Sequence, residues 1–332
     1  MFDVLGEALA QLLDPARLGW VVLGATVGFV VGMLPGLGGT VGMSILLPFV
    51  FGMDPYSGVA LLIGMAAAVH TGDVYPSVLL GVPGSSGSQA TVMDGYPLAR
   101  AGKAARALGA SLSASMIGGV IGAIALFGTI MVARPVILAL ESPQLFMLVL
   151  FGLAMVGILA QGTMLAGLLA GLIGALLGCV GAAPAAPEYR FTMGTLYLWE
   201  GIPLAVLVLG LFALPEMVDL LAGGESISKS AKLSGGLLSG VRSTLRHWFL
   251  VVRSSLLGVA VGVIPGLGGS VVDWIAYGVA KQTCRDSHTF GKGDIRGVIA
   301  PESSNNAKEG GALIPTLLFG VPGSGTTAVL LG

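Results

Sequence analysis

The sequence predicts an all-α integral membrane protein, a polytopic helical bundle with two inverted repeats containing re-entrant hairpins and broken helices. Three observations carry this expectation. Of 332 residues, 55% are hydrophobic and only 10% are charged, against about 25% charged in an ordinary soluble domain. The charges are also clustered, so that Leu18 to Met53, Ala107 to Ala133, Ser142 to Pro187 and Gly310 to Gly332 contain no Asp, Glu, Lys or Arg. A crossing helix needs about 20 apolar residues, so the third of these runs holds two spans. Finally, the chain repeats itself. Gly32-Met-Leu-Pro35-Gly36-Leu-Gly38-Gly39-Thr40 returns as Gly262-Val-Ile-Pro265-Gly266-Leu-Gly268-Gly269-Ser270, and Gly81-Val-Pro83-Gly84-Ser85 returns, in the same order, as Gly320-Val-Pro322-Gly323-Ser324.

The segments follow in order. Residues 1–17 place Phe2, Leu5, Leu9, Leu12 and Leu13 on roughly one face among Asp3, Glu7 and Asp14, the pattern of an interfacial helix rather than a cleavable leader. Residues 18–107 form repeat 1. Two half-helices around Pro35 to Gly39 make a re-entrant hairpin, although one bent crossing helix fits the same length; a crossing segment over 58–93 is then broken near Pro83-Gly84. Residues 108–222 supply four connecting spans, at 108–133, 143–160, 163–182 and 199–222. Residues 223–246 form a cytoplasmic loop, and 247–332 an incomplete repeat 2.

Positive charge in short loops marks the cytoplasmic side. Arg100, Lys103 and Arg106 lie before the four spans, and Lys229, Lys232, Arg242 and Arg246 after them, which puts both loops inside. Lys281, Arg285, Lys292 and Arg296 form a third basic segment. If it too is inside, residues 247–280 enter and return, and the two repeats are inverted, as in many secondary transporters.

The Pro-Gly motifs are the candidate site. Proline breaks a helix, glycine admits close approach to the backbone, and broken backbone is tolerated in a bilayer only where it faces protein, water or a ligand. The half-helix N-termini expected at Thr40 and Ser270 offer N–H groups to a carboxylate. The expected substrate-binding set is Gly36, Gly38, Gly39, Thr40, Pro83, Gly84, Ser85, Ser86, Gly266, Gly268, Gly269, Ser270, Pro322, Gly323 and Ser324. Cation or proton coupling is expected of His70, Asp73, Asp273, Asn305, Asn306, Thr326 and Thr327, polar groups that are costly near a span and therefore often functional. Each has a blander reading: a kink, a hydroxyl bonded back to its own helix, or, for His70 and Asp73, a structural hydrogen bond.

Other chemistries find little support. A net charge of −1 gives no reason to expect nucleic acid. Cys179 and Cys284 are far apart in sequence and form no metal-ligand pattern. No Lys completes a phosphate-loop pattern after the glycines. No metal or cofactor is expected beyond a coupling ion, Na⁺ or H⁺.

Together these motifs resemble the large permease subunit of tripartite tricarboxylate transporters, the TctA family. The resemblance lies in GMLPGLGG at 32–39, GVPGSSGSQATVMDGYPLARAGKAARALG at 81–109, GVIPGLGG at 262–269 and ESSNNAKEGGALIPTLLFGVPGSGTTAVLLG at 302–332. It implies a multi-pass bacterial inner-membrane protein, not an enzyme, that imports tricarboxylates or related carboxylates on a Na⁺ or H⁺ gradient. A periplasmic solute-binding protein and a small membrane subunit are its implied partners. Family members are longer, so the chain is expected to lack its last spans. Where the family has a YGGS-like stretch, this chain has His70-Thr-Gly-Asp73-Val-Tyr-Pro76-Ser77, which leaves the carboxylate and the coupling ion open. The rival readings are a membrane-embedded hydrolase, with Ser85 and His70 as its nearest nucleophile and base, and a channel-like subunit.

Overall fold

The computed structural model describes residues 13–35, 37–138, 163–183, 188–199, 201–202, 236–265 and 268–331, with isolated positions at 6, 10, 11, 143, 144, 146, 147, 150, 206, 207, 210, 211 and 218. The spans expected at 143–160 and 199–222, and nearly all of 1–12, fall outside them.

Helix α1 (Pro15–Gly32) starts where Asp14 accepts a hydrogen bond from the Ala16 N–H and Pro15 takes the first turn, a favourable N-terminal pairing. The expected division at residue 17 falls within this helix. After the Pro35 break, α2 (Gly38–Val50) begins, and α3 (Pro55–Gly72) opens with the same device, Asp54 accepting from the Ser57 N–H at 3.1 Å. A short α4 (Val74–Leu79) ends in the second break. A 3₁₀ turn (Ser86–Ser88) and α5 (Gln89–Leu98) follow.

The basic stretch at 94–107, expected as a turn and the start of a basic helix, is helical, interrupted only by a wide turn where Gly102 has φ +75°. Beyond it α6 (Ala104–Leu138) runs on past Pro135. Then come α7 (Met164–Gly178) and a two-residue antiparallel pair, β1 (Gly181–Ala182) with β2 (Tyr189–Arg190). The end of the expected cytoplasmic loop is also a helix, α8 (Leu237–Arg246). It is followed by α9 (Trp248–Gly262), α10 (Gly268–Thr283), α11 (Arg296–Phe319) and α12 (Gly325–Leu331).

The described residues form a helical bundle. Three helical stretches, Pro15–Gly32, Pro55–Leu79 and Ser86–Thr129, are long and apolar enough to cross a membrane, and Gly38–Val50, Met164–Gly178 and Trp248–Gly262 are shorter apolar helices.

The two motif repeats have the same packing grammar. In the first, α1 lies on α3 with Gly24, Gly28 and Gly32 against the backbone of Leu61, Met65 and Val69; in return, Gly72 meets Phe29. In the second, α9 lies on α11 with Gly258 and Gly262 against Ser304 and Lys308, and Gly311 meets Val259. A Cβ at any of these positions would overlap a neighbouring carbonyl. Small residues thus set the helix separation, as they do between membrane helices generally. Helix α11 is the hub. Besides α9 it packs on α6, where Gly118 and Gly122 meet Ser303 and Ala307, and on α10.

A carboxylate ties the α10–α11 loop to α5. Asp94 accepts from the N–H groups of Gly291 (2.9 Å), Gly293 (2.8 Å) and Asp294 (2.7 Å), and from Tyr277 Oη (2.9 Å). Within that loop burial works against the Asp294 charge. Hydrogen bonds from Arg296 and Thr289 outweigh burial and hold its carboxyl below the usual range.

Two predictions follow from this packing. Gly258→Ala will lower the unfolding temperature in detergent, at a cost of about 1–3 kcal/mol for overpacking, whereas Gly278→Ala, which meets nothing within 4 Å, will not. Because the folded Asp294 is the stronger acid, its stabilisation is complete above the unfolded value of about 3.9. It is lost as pH falls through the lower folded value; thermal melts of Asp294→Asn will lack that acid-limb contribution.

Candidate functional site

Both Gly-Val-Pro-Gly breaks are closed by the same hydroxyl bridges. In the first, Ser77 Oγ donates to the Asp73 carbonyl (2.7 Å) and accepts from the Gly84 N–H (3.3 Å). Ser88 Oγ accepts from the Ser85 N–H (3.2 Å) and donates to the Ser85 carbonyl (3.2 Å). In the second, Thr316 Oγ1 donates to the Ala312 carbonyl (2.6 Å) and accepts from the Gly323 N–H (3.2 Å). Thr327 Oγ1 accepts from the Ser324 N–H (2.9 Å) and donates to the Ser324 carbonyl (3.0 Å). Setting Gly81-Val-Pro83-Gly84 on Gly320-Val-Pro322-Gly323 pairs Ser77 with Thr316, Ser88 with Thr327, Asp73 with Ala312 and His70 with Glu309. The duplication read from sequence thus extends to individual hydrogen bonds.

The breaks cross-pack. The 3₁₀ turn and α5, which follow the first Gly-Val-Pro-Gly, lie on α10, which follows the second Pro-Gly-Leu-Gly-Gly. In the mirrored arrangement, α12 lies on α2. There, a Cβ at Gly39 would stand 3.1 Å from Thr326 Oγ1, and one at Gly325 would stand 2.9 Å from Thr40 Oγ1. Gly38, at φ +55°, faces Ser85. Motifs far apart in the chain therefore share one region.

The polar centre of that region comes from α3, α11 and the first break. Asp73, fully buried, accepts a short hydrogen bond from Ser85 Oγ and lies 3.4 Å from His70 Nδ1. His70 Nε2 lies 2.8 Å from Glu309 Oε1, which also pairs with Lys308 Nζ at 2.5 Å. Two residues at equivalent positions in the motif frames are thus in contact. Asn305 sits under the 3₁₀ turn, where a Cβ on Gly87 would come within 2.6 Å of its Oδ1. Asn306 Nδ2 donates to Thr71 Oγ1 at 3.3 Å. Apart from His70 Nε2 and Glu309 Oε1, which pair with each other, four buried atoms here make no hydrogen bond to protein: Asp73 Oδ1, Asn305 Oδ1 and Nδ2, and Asn306 Oδ1. Buried polar groups are rarely left so, and carboxylate and amide oxygens are the ligands hard cations prefer.

Some expected residues also have structural work. Asp273 accepts from the N–H groups of Ala90 (2.9 Å) and Trp274 (2.8 Å), capping α5 from across the repeat. Thr327 and Ser324 are spent on closing their own break. Helices α2 and α10 start at Gly38 and Gly268, so Thr40 and Ser270 lie inside the first turn rather than before it. Ser86 and Pro322 are exposed and Pro83 is half-buried, while Gly84 and Gly323 are buried against Asp73 and Ala312. Gly36 and Gly266 lie outside the described residues; of Gly268, Gly269 and Ser270 only the helix is described.

Sequence reading missed Glu302, Lys308 and Glu309 as site residues. Glu302 is fully buried, accepting from Thr91 Oγ1 (2.6 Å) on α5 and Ser115 Oγ (3.0 Å) on α6. The signal was available: charges inside a helix that also carries Ser303, Ser304, Asn305 and Asn306. Among the described residues no three His, Cys, Asp or Glu side chains group as metal ligands.

The geometry does not favour a hydrolase. Serine hydrolases place an imidazole between the nucleophile and the orienting carboxylate. Here the carboxylate of Asp73 stands between Ser85 and His70, so the imidazole is not set to take the Ser85 proton.

A family model described as the tripartite tricarboxylate transporter TctA family matches residues 18–332. Two relatives come from Agrobacterium vitis. An uncharacterized 52.8 kDa protein in the TAR-I ttuC′ 3′ region is 32% identical over 320 residues, covering 96% of this chain and 64% of the relative. An uncharacterized protein in the TAR-II ttuC′ 3′ region is 37% identical over 75 residues, covering 23% of this chain and 31% of that relative. The chain thus spans less than two thirds of either. No solved structure matches it.

Two glycines of the first break separate frame from site. Gly84→Ala will unfold at markedly lower temperature, because its Cβ would stand 2.6 Å from the Asp73 backbone. Gly87→Ala meets only the tip of Asn305 and will melt within a few degrees of the parent, about 1 kcal/mol or less.

Proposed function

This chain belongs to the tripartite tricarboxylate transporter TctA family, and on that premise we propose that it forms the permease part of a secondary transporter that imports carboxylates across the bacterial inner membrane. The observation that carries the proposal is the group of unpartnered oxygens on Asp73, Asn305 and Asn306, buried where the duplicated breaks meet.

In this reading Asp73, Asn305 and Asn306 hold the coupling cation, Na⁺ or H⁺. Asp73 is the charged member, and its counterpart is Ala312, so the cation belongs to one repeat only. The carboxylate substrate sits nearer the tip of the first motif, on the N–H groups of the first turn of α2 beside Gly38, Gly39 and Thr40, with Ser85 and Thr326 as hydroxyl partners. Helix N-termini suit anions, and Leu37, the residue before α2, makes no side-chain cap to compete.

Re-entrant hairpins and an inverted arrangement of the repeats belong to the same proposal. The reciprocal packing of α12 on α2 and of the 3₁₀ turn on α10 supports a two-fold relation between the halves. A periplasmic solute-binding protein and a small membrane subunit complete the proposed assembly.

The test is uptake. Full-length protein in liposomes, with the solute-binding protein and small subunit, is expected to accumulate labelled carboxylate only under an imposed Na⁺ or H⁺ gradient. Accumulation without a gradient, or none under any gradient with a verified ligand of the binding protein, would sink the reading. Asp73→Asn is expected to abolish accumulation. Gly87→Ala is expected to raise the ion concentration for half-maximal uptake at least tenfold by displacing the Asn305 amide. Gly38→Val, a β-branched residue at φ +55°, is expected to lose uptake.

A further inference from the structure

Where α8 crosses the start of α6 lies a cavity of about 720 Å³ lined by Arg106, Arg242, Arg246 and His247, with Ser239 and Ser243 among them. Among the described residues no acidic side chain lines it, and none of its arginines forms a salt bridge. It is a built feature rather than loose surface. Arg106 donates from Nε (3.2 Å) and Nη2 (3.1 Å) to Ser243 Oγ, and the His247 ring is held by Nδ1 on the Ser243 carbonyl (2.8 Å). Gly109 and Gly240 let α8 and α6 touch backbone to backbone, and Thr244 Oγ1 bonds the Ala110 carbonyl (3.1 Å) and Ser113 Oγ (2.8 Å). A second cavity, of about 420 Å³, shares Arg106 and adds Lys103, His288, Lys292 and Asp294.

Apolar groups crowd the same place. Leu237, Leu238 and Leu245 turn outward from α8, Leu238 being 82% exposed. Helix α9 opens with Trp248 and Phe249, each 64% exposed and in edge-to-face contact at 6.1 Å. A short helix with its polar, small face packed on protein, arginines to one side and leucines outward is the form that lies in a membrane interface. Tryptophan concentrates at that depth. The positive-charge count assigns this end of the bundle to the cytoplasmic leaflet.

We infer that this cavity binds an anionic phospholipid of the cytoplasmic leaflet, its phosphodiester held by Arg106, Arg242 and Arg246 and its acyl chains laid along Leu245, Trp248 and Phe249. Basic pockets between helices on the cytoplasmic side suit such headgroups, and arginine pairs with phosphate in a bidentate fashion. A free anion would need the arginines but not the apolar rim.

The test uses the purified chain in detergent, titrated with phosphatidylglycerol, phosphatidylcholine or inorganic phosphate and read by native mass spectrometry. Phosphatidylglycerol is expected to remain bound where phosphatidylcholine does not, and millimolar phosphate is expected not to displace it. Arg242→Gln with Arg246→Gln, both exposed, is expected to weaken retention about 25-fold, from about fivefold per charge near a membrane surface. Lys281→Gln, an exposed charge on α10, is expected to change nothing. Equal retention of the two lipids, unchanged binding in the double variant, or equal loss in Lys281→Gln would overturn the assignment. Displacement by phosphate would show an anion site instead of a lipid site. An acidic segment of a partner protein is the other rival, and it predicts no lipid preference.

Discussion

A polar helix has been driven through the middle of an apolar bundle, and the rest of the molecule accommodates it. Helix α11 buries Glu302, Asn305 and Lys308 almost completely. A buried charge is strongly destabilising unless it is met by an opposite charge or by well-aimed hydrogen bonds, so every helix around α11 must come close enough to supply partners. Glycine makes that approach possible. Gly258 and Gly262 from one side and Gly118 and Gly122 from another bring their helices to the α11 backbone. Only then does Ser115 reach Glu302. Packing and polarity are therefore one problem here, with one residue type solving both.

The duplicated breaks add a second layer. A chain that leaves helical geometry in a bilayer must find partners for the N–H and C=O groups it frees, and two hydroxyls per break do this, as Ser77 with Ser88 and as Thr316 with Thr327. With that need met identically in both halves, other positions are free to diverge. Asp73 against Ala312 is the clearest case, since a charge appears in one half where the other has a methyl group.

Much of this was legible beforehand. The membrane class followed from charge-free runs, and the breaks from Pro35, Pro83, Pro265 and Pro322, because proline and glycine act locally. The pairing of His70 with Asp73 followed from helical spacing. Reading failed where the deciding partner is remote. Asp273 reads as a cation or proton candidate, and its hydrogen bond from the Ala90 N–H was hidden because Ala90 is far away in sequence. Glu302 and Glu309 looked like the charged flank of a span because hydropathy alone does not show that α11 is enclosed. The basic stretch at 94–107 reads as a turn leading into a basic helix; the chain is helical on both sides of Gly102, which alone leaves helical geometry there.

The contact between His70 and Glu309 has a consequence of its own. The two occupy the same place in their respective motif frames, so each faces the position that mirrors it. In a pair of identical chains, whatever stood there would face itself, and two carboxylates or two imidazolium rings would repel. An acid against a base at such a point requires the halves to differ, and a single continuous chain guarantees that the differing halves always meet in the same combination. Covalent linkage thereby secures a heterotypic contact that free association of equal subunits would leave to chance.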